Sequence, residues 1–293
     1  MPEGDVVWRA ARQLDAALAG RVLTRSDFRV PRFATTNLAG RPVQAVISRG
    51  KHLLARVGGG VTIHTHLRMD GSWRIRPAAG FVPRDHRIRL VLANADWQAL
   101  GYLLGVVEVL PTAQESRAVG HLGPDLLGPD WDAAEAVRRL GADTDRPVGE
   151  ALLDQRNLAG IGNLYKAEVL FLRGIGPWRP VGSVPDLPAL VELARRLLDA
   201  NKERTGQVTT GVDRPGEQTW VYGRAGRPCR RCGARILAAG PGIRPRAGSE
   251  PSPRMTASTG GRTGQPDERI TFWCPHCQPP APATPAAGDP GTG

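Results

Sequence analysis

Apolar residues near the start of the chain recur with a helical period. Val7, Ala10, Ala11, Leu14 and Leu18 stand at i, i+3, i+4, i+7 and i+11, which predicts a helix over 5–18 that Gly20 ends. From Val22 to about Val109 the pattern changes to short apolar runs bounded by Gly, Pro, Asn and Asp: 43–47, 53–57, 61–67, 72–75, 88–92 and 103–109. Several alternate with period two, as in Arg87-Ile88-Arg89-Leu90-Val91-Leu92. Strands at this spacing with no helices between them predict a β-sandwich or barrel. Beyond Pro111 the character is helical. Helices are predicted over 133–140, after Pro129-Asp130-Trp131-Asp132, over 148–153, and over 163–172, entered through Leu158-Ala159-Gly160-Ile161-Gly162. The strongest is 187–199, with Leu187, Leu190, Val191, Ala194, Leu197 and Leu198 on one face. A cysteine-bearing module spans about 219–278. Its middle, 240–266, is rich in Gly, Pro, Ser, Thr and Arg and reads as a disordered insertion, as does the tail 279–293.

No apolar run approaches the ~18 residues needed to span a bilayer. The longest candidate, Tyr102 to Leu110, is interrupted by Glu108. The start, Met1-Pro2-Glu3-Gly4-Asp5, is acidic and lacks a signal-peptide pattern, so a soluble cytoplasmic protein of the cytosol or nucleoid is expected. The 293 residues suffice for about two domains. Lys+Arg number 39 against 28 Asp+Glu, a net charge of +11. Only Lys51, Lys166 and Lys202 are lysines. Arginine forks grip phosphate, so the balance leans toward nucleic acid. A G+C-rich genome explains the Arg-to-Lys ratio equally well, but not the net charge.

Cys229-x2-Cys232 and Cys274-x2-Cys277 supply four thiolates, enough to close one tetrahedral structural zinc site. The long spacer is tolerable because loop-closure cost grows only logarithmically. Four unrelated buried thiols are the alternative. Arg224, Arg227, Arg230, Arg231 and Arg235 flank the first pair and Arg269 precedes the second, so the module reads as a basic ribbon that contacts nucleic acid or holds subunits together.

Pro2 becomes a free secondary amine if Met1 is removed. Such an amine, with a pKa near 7.7–8.0, can attack a sugar C1′ and form a cationic iminium, with Glu3 beside it to move protons. Alone this is weak, but it has company: Gly50-Lys51-His52-Leu53-Leu54, then His66-Leu67-Arg68-Met69-Asp70-Gly71-Ser72-Trp73, then Leu152-Leu153-Asp154-Gln155 and the Gly-rich turn into Asn163. Backbone N–H groups at such a helix start suit phosphate.

Together these motifs resemble the Fpg/Nei family of bacterial DNA glycosylase/lyases, in order from Pro2 to Cys277. The resemblance implies an α+β multidomain fold: a catalytic N-terminal β-sandwich with its helix over 2–112, a helix-two-turn-helix DNA-binding domain over 125–210, and a C-terminal four-cysteine zinc finger over 219–278. It implies Pro2 as nucleophile, Glu3 as proton donor, Lys51 in β-elimination and phosphate contact, and Arg269 in δ-elimination and backbone grip. Asn163 would hold phosphate, Met69 would wedge into the gap left by an everted base, and Arg68 and His121 would contact DNA. Read without the resemblance, Met69 is a core or surface residue, Asn163 a helix N-cap and Arg269 a solvated strand residue. His64 and His66 form a pair on one strand face, read as hydrogen-bonded or solvated imidazoles.

Four positions depart from the family pattern. The family's Arg-Arg-Phe run is replaced by Tyr102-Leu103-Leu104-Gly105-Val106, and a DNA-contacting lysine by Gly149. These departures, with Pro2-Glu3-Gly4, favour the endonuclease VIII branch and oxidised pyrimidines. Val6 stands where relatives have a glutamate and Arg68 where endonuclease VIII has a glutamine. The expected protein is therefore a monomeric DNA glycosylase/AP lyase of base excision repair acting on damaged DNA, with one structural Zn2+ per chain and no membrane partner. A non-catalytic DNA-binding protein on the same scaffold is the alternative. An RNA-binding ribbon protein would leave Pro2, Glu3 and Lys51 unused.

Overall fold

In the computed structural model, which describes residues 2–240 and 270–279, the chain opens with helix α1 (Gly4–Leu18), whose stripe Val7, Ala11, Leu14 and Leu18 is buried. Eight strands follow: β1 (Arg25–Phe28), β2 (Val43–Arg49), β3 (His52–Val57), β4 (Val61–His66), β5 (Ser72–Pro77), β6 (Ile88–Ala93), β7 (Trp97–Tyr102) and β8 (Val106–Pro111). They form two antiparallel four-stranded sheets, in the orders β1-β6-β7-β5 and β2-β3-β4-β8. Val46, Leu53, Val57 and Ile63 of one sheet share a core with Phe28, Leu90, Leu92 and Ala99 of the other and with the α1 stripe. The sandwich predicted from the alternating pattern is the one that forms.

Strands and pattern differ in three places. The run 103–109 is not one strand: Leu103 turns the chain in a left-handed conformation (φ 46°) between β7 and β8. β7 has no clear apolar period because Gln98 and Gly101 interrupt it. β1, Arg-Ser-Asp-Phe, lies at a sheet edge and buries only Phe28, so its sequence reads as polar.

The second unit comprises α2 (Ser116–Val119), α3 (Ala133–Leu140), α4 (Val148–Leu153), α5 (Asn163–Leu172) and α6 (Leu187–Asn201). Asp132 and Asp186 cap α3 and α6 by accepting the N–H groups of Glu135 and Ala189. α6 continues past the predicted end to Asn201, whose side chain closes on both Val208 N–H and C=O. α5 is buried on every face from Asn163 to Phe171, although it carries Asn163, Lys166 and Glu168. Those polar groups meet the third unit.

That unit contains a two-stranded antiparallel ribbon, β9 (Leu237–Ala239) and β10 (Thr271–Trp273). The Glu168 carboxylate accepts the N–H groups of Trp220, Val221 and Tyr222 at 2.8–2.9 Å, and the Thr209 hydroxyl as well. Gln278 donates to Ile175 C=O at 2.9 Å. The predicted insertion, apart from Gly240, the tail beyond Pro279, and Arg269 lie outside the described residues. Among the described residues no helix is long and apolar enough to cross a membrane.

Candidate active site

Glu3 and Gly4, which follow Pro2, lie against the Gly-rich turn that opens α5. Gln155 shapes this turn: its Nε2 donates to Leu153 and Ile161 C=O, and its Oε1 accepts Gly160 N–H. Gly160 takes φ +100°, which favours glycine. Gly4 N–H then donates to Gly160 C=O at 2.8 Å, docking the N-terminus on the turn. The Glu3 carboxylate accepts Gly162 N–H and Leu164 N–H, both at 2.7 Å. α5 has no side-chain cap of its own, since Gly162 holds the N-cap position and Asn163 is already helical. Glu3 therefore satisfies the orphan donors from the other end of the sequence. A Cβ on Gly162 would stand 2.5 Å from Glu3 Cδ, so only glycine admits the carboxylate.

Glu3 is fully buried. Burial raises its pKa to about 6, while the Lys51 charge and the two N–H groups pull it down. A helix N-terminus contributes up to ~2 kcal/mol in buried geometry, and here it does not overcome the loss of water. Beneath lies another buried carboxylate, Asp5. It accepts the Tyr165 hydroxyl at 2.8 Å and Gln207 Nε2 at 3.0 and 3.1 Å. Burial and the Asp5 charge hold the Tyr165 phenol well above its ordinary range, so it stays a donor.

The hairpin turn between β2 and β3 carries Lys51, half-buried, and its charge reaches Glu3. Gly50 (φ +55°) donates its N–H to Asp125 Oδ2 at 2.7 Å, and Arg49 pairs with Asp130 at 2.8 Å, fixing the turn to the helical unit. Beside it, Glu108 Oε2 lies 2.9 Å from His64 Nδ1, and His64 Nε2 lies 2.8 Å from His52 Nδ1. His66 and the exposed His121 stack edge-on to His52, with ring centroids 4.9 and 6.1 Å away. Burial, followed by neighbouring positive and imidazole charges, lowers His52 to about 3 and His66 to about 4. Arg68, exposed and left-handed (φ 54°), and half-buried Met69 occupy the next turn, where Arg68 packs on Gly105. Val6 packs against the sandwich core.

Asn163 Nδ2 donates to Ile270 C=O at 2.7 Å, while its Oδ1 is buried without a partner among the described residues. One turn on, Lys166 donates from Nζ to Thr271 Oγ1 at 3.0 Å. Burial lowers Lys166 to about 8 against the pull of Glu3 and Glu150. α5 thus grips the start of β10 immediately after Arg269. Away from this seam, the Sγ atoms of Cys229, Cys232, Cys274 and Cys277 lie within 4.8 Å of one another, with Cys229–Cys277 at 3.9 Å and Cys232–Cys274 at 3.5 Å. A tetrahedron with metal–sulfur bonds of ~2.3 Å has edges of about 3.8 Å, so this donor set fits a metal ion.

The structure brings Pro2, Glu3, Lys51 and Asn163 to one seam, with His121, Arg68 and Met69 on the adjoining sandwich edge. Asp5, Tyr165, Gln207 and Glu108 join them, although no sequence motif marks them, and His52 joins from the Gly50–Leu54 motif. The scarcity of lysine alone singles out Lys166.

The family described as the formamidopyrimidine-DNA glycosylase N-terminal domain matches residues 1–102, and the formamidopyrimidine-DNA glycosylase H2TH domain matches residues 122–208. The chain is 54% identical to a probable endonuclease 8 2 of Streptomyces coelicolor, over 96% of each. It is 47% identical to the DNA-(apurinic or apyrimidinic site) lyase Nei2 of Mycolicibacterium smegmatis, over 95% of this chain and 99% of that protein. Lactococcus lactis Fpg, solved with DNA containing an oxidised pyrimidine, superposes with a TM-score of 0.73 at 25% identity, over 95% of this chain and all of that one.

Proposed function

The chain belongs to the formamidopyrimidine-DNA glycosylase and endonuclease 8 family, and from that premise we propose that it is a DNA glycosylase/AP lyase of base excision repair, with Pro2 as nucleophile and Glu3 as proton donor. The observation that carries the reading is the docking of Glu3 and Gly4 on the α5 turn, which sets a buried carboxyl with a raised pKa beside the Pro2 amine and within reach of the Lys51 charge. The relatives named as endonuclease 8 and as an AP lyase support it.

The damaged nucleotide is everted into the seam, because base chemistry inside a stacked duplex is inaccessible. Pro2 N, free once Met1 is removed, bonds to C1′ as the base leaves with the glycosidic electron pair and takes up the proton that the amine gives up. Glu3 delivers its proton to the sugar ring oxygen, and the nitrogen lone pair expels that oxygen as the ring opens to the iminium. That cation acidifies C2′. Loss of a C2′ proton expels the 3′ phosphate, and a second elimination expels the 5′ phosphate. Lys51, Asn163, Arg68, His121 and Arg269 hold the backbone around these steps, and Met69 fills the space the base leaves. We infer that the four thiolates hold one zinc ion. Bound there, the ion supplies structural cross-linking rather than chemistry, and the basic ribbon around it faces DNA.

The absence of an Arg-Arg-Phe run at Tyr102–Val106 favours oxidised pyrimidines and abasic sites over 8-oxoguanine. Single-turnover rates on thymine-glycol, 5-hydroxyuracil, 8-oxoguanine and preformed abasic duplexes test this. Faster release of the pyrimidines is expected. A clear preference for 8-oxoguanine contradicts the substrate assignment, and no cleavage of any of the four contradicts the enzyme.

A further inference from the structure

Gln207 has no role in the chemistry above, yet its backbone and its side chain are both held. It follows α6, and its neighbours are pinned. Val208 N–H donates to Asn201 Oδ1 at 2.7 Å, Val208 C=O accepts Asn201 Nδ2 at 3.0 Å, and the Thr209 hydroxyl donates to the Glu168 carboxylate. Gln207 Nε2 donates to both oxygens of Asp5, at 3.0 and 3.1 Å, and the Tyr165 hydroxyl donates to Asp5 Oδ2 at 2.8 Å. Asp5 and Tyr165 are fully buried. A carboxylate oxygen only accepts, so the amide must turn its nitrogen inward. One acceptor oxygen remains for that nitrogen even where the other carries a proton, so the orientation does not depend on the charge of Asp5. Gln207 Oε1 therefore turns away from Asp5. No described residue donates to it, and it is not among the buried unpartnered atoms, so this carbonyl is an open acceptor.

The acceptor stands beside the seam. Asp5 is two residues from Glu3, and Tyr165 follows Leu164, whose N–H holds the Glu3 carboxylate. In the same turn of α1, Gly4 is docked on Gly160 and Val6 packs against the sandwich core. In the cluster around Asp5 the Gln207 carbonyl is thus the polar atom left open to a ligand. We propose that Gln207 is a specificity-determining residue for base release: its Oε1 accepts a hydrogen bond from the imide N–H of an everted uracil- or thymine-derived base, and Asp5 is the positioning residue that keeps the amide turned that way. This deepens the glycosylase reading above and rests on it. An everted base is read by hydrogen bonds to its Watson–Crick edge. On oxidised uracil and thymine that edge carries an N–H between two carbonyls. On oxidised cytosine the same ring nitrogen is a bare acceptor, which meets Oε1 lone pair to lone pair. An acceptor fixed before the base arrives costs little ordering on binding, and it discriminates because the wrong edge leaves polar groups unpaired.

The test is single-turnover base release from 5-hydroxyuracil and 5-hydroxycytosine duplexes, beside cleavage of a preformed abasic site, which has no base to recognise. The readout is the ratio of the two release rates, because the intrinsic lability of each base cancels between protein variants. Gln207→Leu removes the acceptor and should lower the ratio about tenfold, through slower release of 5-hydroxyuracil. It should slow abasic cleavage by less than about twofold, since that substrate makes no such hydrogen bond. In Asp5→Asn the new amide oxygen takes the Tyr165 hydroxyl and the new amide nitrogen donates to Gln207 Oε1, so Gln207 turns Nε2 outward. That variant should lower the ratio further than Gln207→Leu, because the 5-hydroxycytosine ring nitrogen gains a donor, and a loss of structure does not speed one base over the other. Gln207 is half-buried, so its variant decides the matter even if Asp5→Asn folds poorly. A ratio unchanged in Gln207→Leu overturns the proposal, as does an equal slowing of 5-hydroxyuracil release and abasic cleavage. Wild-type protein that releases no base overturns the glycosylase reading instead. The affinities for the two duplexes then decide whether Gln207 reads the base, since their ratio must fall in the same variants.

Discussion

Glu3 is held between loss of water, which favours its proton, and Lys51 with two backbone donors, which remove it; the balance leaves it near 6. A general acid is worth about 10²–10⁴ in rate. Glu3→Gln should therefore slow base release by at least about a hundredfold, while borohydride still traps the variant on a preformed abasic site. Equal loss of both activities would show that Glu3 only supports the fold. The histidines give a second prediction. His52 and His66 are held neutral in the folded state, whereas unfolded imidazoles titrate near 6.5. Between pH 6.5 and about 4 the unfolded chain binds protons that the folded chain refuses. Their contribution to stability is thus complete above pH 6.5 and is lost on acidification, by about 2 kcal/mol per imidazole at pH 5. His52→Gln should lose less melting temperature than wild type between pH 7 and pH 5, and equal losses contradict the assignment. Pro2, Glu3 and Lys51 are visible in the sequence because position and rarity mark them. Asp5 is not, because its partners Tyr165 and Gln207 lie 160 and 202 positions away.

Helix α5 organises the site as an element. Its start binds Glu3, its middle grips β10 through Asn163 and Lys166, and its Glu168 gathers the 220–222 backbone. Gly162→Ala places a Cβ 2.5 Å from Glu3 Cδ and displaces the carboxylate, so it should cut base release as severely as Glu3→Gln while DNA binding persists. Binding and release falling together would argue for general damage. Glu168→Leu strands three N–H groups, of which that of Val221 is buried and costs about 1–3 kcal/mol. It should lower the stability measured by urea unfolding by at least about 1 kcal/mol and open the ribbon to proteolysis before the sandwich. The helix itself is legible from its apolar content, but a helix buried all round has no polar face to announce which neighbours it meets. The same limit hides β7 and β1, where an interrupted period and an exposed edge erase the alternation. The cysteine pairs carry their own spacing signal. Cys274→Ser should lower zinc content and DNA affinity together, and full zinc stoichiometry in that variant contradicts the four-thiolate site.

Across the whole molecule the three units meet where Glu3 and Gly4 dock on the α5 turn, so the groups proposed as amine, acid and phosphate grip come from distant stretches of chain. The order of the units and the net +11 are legible in the sequence, because patterning and charge are local properties. The seam is not, since it forms through Gly50–Asp125, Glu3–Leu164 and Asn163–Ile270 contacts between units. Binding that neutralises six phosphates should weaken about a thousandfold between 50 and 200 mM salt. Fluorescence anisotropy on a damaged duplex checks that, and a flat response would place binding on uncharged contacts.

The proposed chemistry turns on the Pro2 amine forming the covalent bond. Lys51 is the competing amine, close enough for its charge to reach Glu3. The direct measurement is mass spectrometry of the borohydride-reduced, nuclease-trimmed adduct formed on an abasic duplex, using protein shown to have lost Met1. Added mass is expected on the peptide that begins at Pro2, and no adduct when an N-terminal extension converts that amine to an amide. Added mass on the Lys51 peptide, or no adduct from protein with a free Pro2, would contradict the assignment of Pro2 as nucleophile.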